Sequence, residues 1–298
     1  MTQARTLLAA TDFSAPARHA LERAAQLAQT RPGAGLTLAH IVSGSALDAL
    51  HRMLPGEAVT LETQLLAQAG KSLDELAAHL AGHHTYSIDT VVTQGSAAAA
   101  LVDLVETRQA DMLVMGARGK HFVVEMLLGS TIERVLRKSR RPLLAVKQRP
   151  QAPYRRILAP VDFSDHAAAA IHAAHAWLPD ADIVLLHAFE VEWESTFQLA
   201  GIDDQQIHEY RIQARDAAQK AMEAFIGKLR VPARQLTRQF VHGAATLCIL
   251  EHEQTMDADL IVMGKHGQSV MEELLLGSVT QHVLTHSSSD VLIAGHTA

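Results

Sequence analysis

Leu7-Leu-Ala-Ala-Thr-Asp-Phe-Ser14 returns in the second half of the chain as Ile157-Leu-Ala-Pro-Val-Asp-Phe-Ser164. Working outward, Leu36-Thr-Leu-Ala-His40 returns as Ile183-Val-Leu-Leu-His187. Ala110-Asp-Met-Leu-Val-Met-Gly116 returns as Ala258-Asp-Leu-Ile-Val-Met-Gly264, and Met126-Leu-Leu-Gly-Ser130 as Leu274-Leu-Leu-Gly-Ser278. The order is kept, and the period is close to half of the 298 residues. A period of that size is a duplicated domain and not a solenoid of short units. The join is Lys147-Gln-Arg-Pro-Gln-Ala-Pro-Tyr154, where two prolines and polar neighbours suit an extended linker. The expected domains are 1–148 and 153–298.

Within each half, short apolar runs alternate with longer amphipathic stretches. The pattern predicts strands near 5–11, 35–42, 86–93, 111–116 and 142–147, and again near 155–161, 182–189, 235–241, 258–264 and 290–294. Ala-rich stretches between them, such as Ala15 to Gln29 and Asp216 to Leu229, read as helices, four in each half. Strand and helix in regular alternation imply parallel strands joined by right-handed crossovers. Near-continuous apolar runs such as Leu260-Ile-Val-Met263 agree, since such strands are buried on both faces. The fold class is therefore α/β, two tandem doubly wound five-stranded parallel sheets with helices on both faces. Segments 43–70 and 190–215 fit the repeat least well and read as variable excursions, candidates for lids.

Composition excludes several functions. Hydrophobic residues are 48% and charged residues 19%, the balance of a globular chain with a core to bury. Net charge is −6, and no long basic run follows a phosphate backbone, so nucleic acid is not an expected partner. No apolar run reaches the length of a membrane span, so no membrane is expected either. The apolar run near the N-terminus is stopped by Thr11 and Asp12, too early for a signal-peptide core. The one cysteine, Cys248, cannot close an internal disulfide and lies in an apolar helical stretch. A reducing, cytoplasmic location is the expectation.

After the fourth predicted strand of each half comes Gly116-Ala-Arg-Gly119, then nine residues, then Gly129-Ser130, with a helix beginning at once. The second half repeats the spacing, Gly264-Lys-His-Gly267 and Gly277-Ser278. Glycine permits close approach of backbone to a ligand, and a helix N-terminus offers N–H groups and a positive dipole end, an arrangement that suits phosphate. Ser130 and Ser278 read as helix N-caps or as hydroxyl donors to phosphate oxygens. The same glycines could merely make turns. Asp12 and Asp162 add weight, because each ends a first strand. Where strand 1 neighbours strand 4, the order of a doubly wound sheet reverses and a crevice opens at the carboxyl ends of both. A carboxylate beside a phosphate loop fits a ribose hydroxyl or a cation; the plainer role is to cap the following helix. Neither a Walker loop nor a Gly-x-Gly-x-x-Gly turn is present.

The Asp-Phe-Ser after strand 1, the Asp-Leu-Ile-Val-Met-Gly strand and the Gly-x2-Gly-x9-Gly-Ser spacing resemble the universal stress protein family in its tandem, ATP-binding form. The resemblance covers nearly the whole chain. It implies strand order 3-2-1-4-5, an adenine nucleotide in each crevice and a role in stress signalling. By position it implies Asp12 and Asp162 at the ribose, and backbone at Ile41 and Ala188 at the adenine. Gly116, Gly119, Gly264 and Gly267 would line the ribose and phosphate side. Gly129, Ser130 and Thr131, with Gly277, Ser278 and Val279, would bind phosphates. ATP is the expected ligand, with magnesium alongside its phosphates. Pro160 matches the residue usual in the family two before the Asp, whereas the first half has Ala10. The loops carry Arg118 and Lys120 in one half against His266 and Gln268 in the other, so the first site is expected to hold a triphosphate more tightly.

Eighteen histidines raise the question of metal. His172 with His175, and His282 with His286, have the spacing of one helix face, but two imidazoles make a weak site. His40 and His187, at the end of strand 2, read as hydrogen-bonded core histidines rather than catalytic ones. Neither half offers a nucleophile, base and oxyanion constellation. The expected function is an ATP-binding stress-response regulator that signals through conformation or through an unknown protein partner. The alternative is a slow ATP hydrolase or a phosphoryl or adenylyl transferase. The two halves are expected to form an intramolecular pseudo-dimer, with further homo-oligomerisation open.

Overall fold

The strand predicted at 5–11 forms in the computed structural model as β1 (Thr6–Thr11), with Leu7, Leu8 and Ala9 fully buried. The structure describes residues 5–82, 86–118, 128–191, 193–267 and 276–295. It divides into two compact units, Met1–Pro153 and Tyr154–Ala298.

In the first unit β1 is followed by α1 (Ala15–Gln29), β2 (Gly35–Ser43), α2 (Gly44–Met53), α3 (Ala58–Ala81), β3 (Ser87–Gly95), α4 (Ala97–Thr107), β4 (Met112–Gly116), α5 (Ser130–Lys138) and β5 (Leu143–Val146). The second unit follows with β6 (Arg156–Pro160), α6 (Asp165–Trp177), β7 (Asp182–Phe189), α7 (Glu194–Leu199), α8 (Asp204–Ile226), β8 (Leu236–His242), α9 (Ala245–Thr255), β9 (Leu260–Gly264), α10 (Ser278–His286) and β10 (Asp290–Ala294). The strand predictions hold to within a residue or two at most ends. The helix prediction falls short in number: α2 and α7 are additional, and α8 begins well before the predicted Asp216 because Asp203 caps it through the Gln205 N–H at 3.1 Å.

The first sheet is ordered β3-β2-β1-β4-β5 and the second β8-β7-β6-β9-β10, the same order in each unit. Within each unit all neighbouring strands are parallel. The chain therefore moves outward from β1 through β2 to β3, then returns to the other side of β1 through β4. Right-handed crossovers taken in the two directions put helices on opposite faces of the sheet. The strands β4, β5, β9 and β10 are buried along nearly their whole length, as their apolar sequence requires. The edge strands β3 and β8 alternate between exposed and half-buried residues.

The α1 and α6 starts are built alike. Ser14 and Ser164 are the N-caps, accepting from Ala17 N at 3.3 Å and Ala167 N at 3.2 Å. Among the described residues no helix is long and apolar enough to cross a membrane.

Candidate functional site

A cleft of about 240 Å³ opens in the first unit where β1 and β4 diverge, at the reversal of strand order. Its lining includes Asp12, Ile41, Gly116, Gly129, Ser130 and Thr131. A second cleft of about 210 Å³ occupies the same place in the second unit and includes Asp162, Ala188, Gly264, Gly267, Gly277, Ser278 and Val279. The fold thus brings together every described residue singled out from the sequence. Gly119 lies outside the described residues, as do Lys120 and Gln268.

Each aspartate sits on a kinked strand end. Phe13 and Phe163, the residues just after, have φ of 64° and 67°, the left-handed region in which side chains other than glycine are strained. The same device holds both kinks. Nδ1 of His40 donates to the Thr11 carbonyl at 2.8 Å, and Nδ1 of His187 donates to the Val161 carbonyl at 2.8 Å. Phe13 lies against the His40 ring and Phe163 stacks on the His187 ring, with centroids 4.4 and 4.3 Å apart. His40 and His187 are hydrogen-bonded as expected, but half-buried next to the cleft rather than deep in the core.

Asp12 and Asp162 are not the N-caps of the following helices; the serines two residues on are. Oδ1 of Asp12 accepts from Ser14 N at 3.0 Å. Oδ1 of Asp162 accepts from Ser164 N at 3.1 Å and from Ser164 Oγ at 2.6 Å. One carboxylate oxygen of each thus fixes a turn and orients the side chain. Oδ2 of Asp162 lies 3.0 Å from the point a Cβ on Gly267 would occupy, so glycine there leaves the carboxylate its place.

The glycines divide into two kinds. A Cβ on Gly116 would meet the Pro16 carbonyl oxygen at 2.9 Å, and one on Gly264 would meet His166 Cβ at 2.9 Å and Ala167 N at 3.0 Å. These two are glycine because the first turn of α1 or α6 lies directly on them. Gly129 and Gly277 have ordinary extended backbone, with φ of −67° and −58°. A Cβ on Gly277 would find its nearest neighbour, the Lys265 carbonyl oxygen, at 3.5 Å, an ordinary contact. At Gly129 the nearest approach is 3.3 Å, tight but not prohibitive. Neither dihedral strain nor collision demands glycine at Gly277. What a side chain there would fill is the cleft.

Gly129 and Gly277 are themselves the N-caps of α5 and α10, with no side-chain cap bond. This corrects the expectation that Ser130 and Ser278 cap these helices; both stand one position further in, and both are exposed. The first-turn N–H groups of Ser130, Thr131 and Ile132 precede any intrahelical acceptor, and these three residues line the cleft. The helix end presents donors and a positive dipole to that space. The walls add residues the motifs did not reveal: Ala97, Leu101 and Met115 in the first cleft, and Ala245, Ile249 and Met263 in the second. Their signal was there only as recurrence, each pair occupying matched places in the repeat.

Among the described residues, none that lines either cleft comes from α2, α3, α7 or α8, the helices of the two excursions. Instead α7 is tied to its own unit by Glu194, whose carboxylate accepts from Arg211 Nε at 3.1 Å and from Arg211 Nη2, and bonds His242 Nε2 at 2.8 Å. The bond from Arg211 is the main cause that holds the Glu194 carboxyl below its usual range, with His242 adding to it against the effect of burial. A carboxyl lowered in the folded state stabilises above the ordinary glutamate range and loses that contribution as pH falls through its lowered value. Protection of the amides at 194–199, taken against the intrinsic exchange rate at each pH, is therefore expected to hold from pH 7 to about 5 and to fall at lower pH, with Arg211→Ala weakly protected throughout. Protection indifferent to both would refute the tether.

Among the described residues no group of three or more His, Cys, Asp or Glu side chains is arranged to hold a metal ion. Nε2 of His172 accepts from Arg230 N at 3.1 Å, and burial, with the nearby Arg230 charge, lowers its pKa. His282 and His286 stack with centroids 4.1 Å apart, and Nδ1 of His286 donates to the His282 carbonyl. Cys248 is buried on α9, and burial pushes its thiol pKa up.

The universal stress protein family model matches residues 3–147 and again 153–295. A universal stress protein of Mycolicibacterium smegmatis is 25% identical, covering 96% of each chain. One of Methanocaldococcus jannaschii is 29% identical over 152 residues, 47% of this chain and 94% of that one. Among solved structures, a universal stress protein of Archaeoglobus fulgidus covers 99% of this chain and 100% of its own at 18% identity, with a TM-score of 0.68, a likeness of fold.

Proposed function

Since the chain belongs to the universal stress protein family, we propose that it is an ATP-binding regulator of the stress response, with one adenine nucleotide site in each half, 1–148 and 153–298. The observation that carries this reading is Gly277. It is a glycine without a steric or dihedral need for one, at an uncapped helix start, facing a cleft that also holds an oriented carboxylate.

In this reading Asp12 and Asp162 accept from ribose hydroxyls, and backbone at Ile41 and Ala188 meets the adenine. The ribose and phosphates run along Gly116 and Gly119, or Gly264 and Gly267. They end on the α5 or α10 N-terminus, at Gly129, Ser130 and Thr131 or at Gly277, Ser278 and Val279. The donor set fits magnesium only as a companion of phosphate: hydroxyls at Ser130 and Ser278 would hold it through water, and its part would be to neutralise phosphate charge. A bound nucleotide links the end of β4 or β9 to the next helix, favouring one arrangement of that surface, and a protein partner reads it. The whole acts as a soluble, cytoplasmic protein in this proposal.

The test is the identity and molar ratio of nucleotide released on acid denaturation of the purified protein, for wild type, Gly129→Trp and Gly277→Trp. Close to two ATP per chain, less one in each variant, is the expected result. No nucleotide released and no uptake of added Mg-ATP would sink it. Prolonged incubation of the loaded protein separates a regulator, which returns ATP intact, from a slow hydrolase, which returns ADP and phosphate.

A further inference from the structure

The two clefts repeat the aspartate and the glycines, and the difference that changes charge lies where the glycine loop meets α5 or α10. In the first, Arg118 lines the cleft as an exposed guanidinium, and Thr131 adds a hydroxyl in the first turn of α5. In the second, the position of Arg118 is taken by His266 and that of Thr131 by Val279. His266 also lines its cleft, but it is 6% exposed and meets the His166 ring edge-on, with centroids 5.4 Å apart. His166 in turn stands where the first unit has Pro16. Two linked replacements, Pro16 with Arg118 against His166 with His266, therefore put a packed imidazole in the wall of the second cleft where the first has an exposed arginine.

A guanidinium is permanently charged and offers several donors to phosphate oxygens, whereas an imidazole carries at most one intermittent charge. Each additional phosphate adds negative charge that must find a cation or donor when it leaves water. The first cleft supplies a fixed cation and an extra hydroxyl for that charge. The second supplies a packed imidazole and a methyl group. The adenine and ribose ends do not differ in this way: Asp162 repeats Asp12, and the pair Ala39 and Ile41 is answered by Leu186 and Ala188, an exchange of which side chain is large.

We infer that the two clefts sort adenine nucleotides by phosphate charge, the first selecting the triphosphate and the second taking a monophosphate about as readily as a triphosphate. The inference rests on the nucleotide reading above and adds the ligand class of each site.

Calorimetric titration of the full chain with Mg-ATP and with AMP tests it, using Gly277→Trp to read the first cleft and Gly129→Trp to read the second. The expected preference for ATP over AMP is at least tenfold in the first cleft and under about threefold in the second. Arg118→His should reduce the preference of the first cleft to that of the second. His166→Pro with His266→Arg should raise the second toward the first; because His266 is buried, circular dichroism melting checks the fold of that variant. Equal preference in both wild-type clefts, or a preference in the first that survives Arg118→His in a folded protein, overturns the inference and leaves nucleotide binding intact. Failure of both nucleotides to bind at either cleft overturns the proposed function, and this inference with it.

Discussion

Gly264→Ala is expected to destabilise the second unit by about 3 kcal/mol, while Gly277→Ala stays within about 1 kcal/mol of wild type. Both glycines line the same cleft, so a motif reading treats them alike. Their surroundings do not. The added carbon at Gly264 collides at 2.9–3.0 Å with His166 Cβ, the His166 carbonyl carbon and Ala167 N. None of these is the end of a flexible chain; all belong to the first turn of α6, which Ser164 fastens. Nor can β9 retreat, since Gly264 is paired in register with Ala294 of β10. The helix start must move, and with it the turn that orients Asp162. Both tryptophans of the chain, Trp177 and Trp193, lie in the second unit, and Trp177 is buried, so urea unfolding followed by tryptophan fluorescence reads this unit selectively. Equal losses in the two variants would refute the distinction. Gly116→Ala should behave like Gly264→Ala, because the Pro16 carbonyl lies in the same place.

A larger loss, about 4 kcal/mol, is expected for Glu253→Ala. Glu253 is 4% exposed on α9, and its Oε1 accepts from Ser288 N at 2.8 Å and Ser289 N at 2.6 Å. Ser289 donates onward from Oγ to the Ala258 carbonyl at 2.8 Å, and β10 begins at the next residue. One buried carboxylate thus shapes the turn that delivers β10 into the core. Truncation strands two backbone N–H groups and leaves a void where the side chain was. Glu253→Gln keeps an acceptor but loses the charge, and should cost roughly half as much. In a unit of this size the alanine variant should melt roughly 10 °C lower. A shift of a degree or two would show that the turn holds without Glu253. The first unit shows what the carboxylate replaces: Val105 stands at the matching position, and the turn closes locally as Arg141 N donates to Ser139 Oγ at 3.1 Å.

The position of β1, β2, β4 and β5 and their counterparts could be read from the sequence because unbroken apolar runs of strand length have few alternatives when buried on both faces. The helix Ala15–Gln29 was legible to the residue, since Ser14 precedes it and Thr30, Pro32 and Gly33 end it. The short helices α2 and α7 were not. They form in the excursions, where the two halves diverge, so the repeat gives no second copy against which to read them.

The sequence by itself determined that the protein is a duplication, that each half alternates strand and helix as a parallel α/β sheet does, and that Asp12, Gly129 and Ser130 correspond to Asp162, Gly277 and Ser278. These follow from periodicity and from one repeat copied twice, both local properties of a chain. The reversal of strand order at β1 was implied by the family resemblance and is seen in the structure. Only the tertiary structure decided which glycines collide with a helix start and which would take a Cβ at closer to ordinary contact distance, that Ser14 and not Asp12 caps α1, and that Glu253 holds a turn 35 residues away. It also decided that His266 turns toward His166. Each of these is a distance between atoms far apart in sequence, and a collision or a hydrogen bond exists only once the fold has closed that distance.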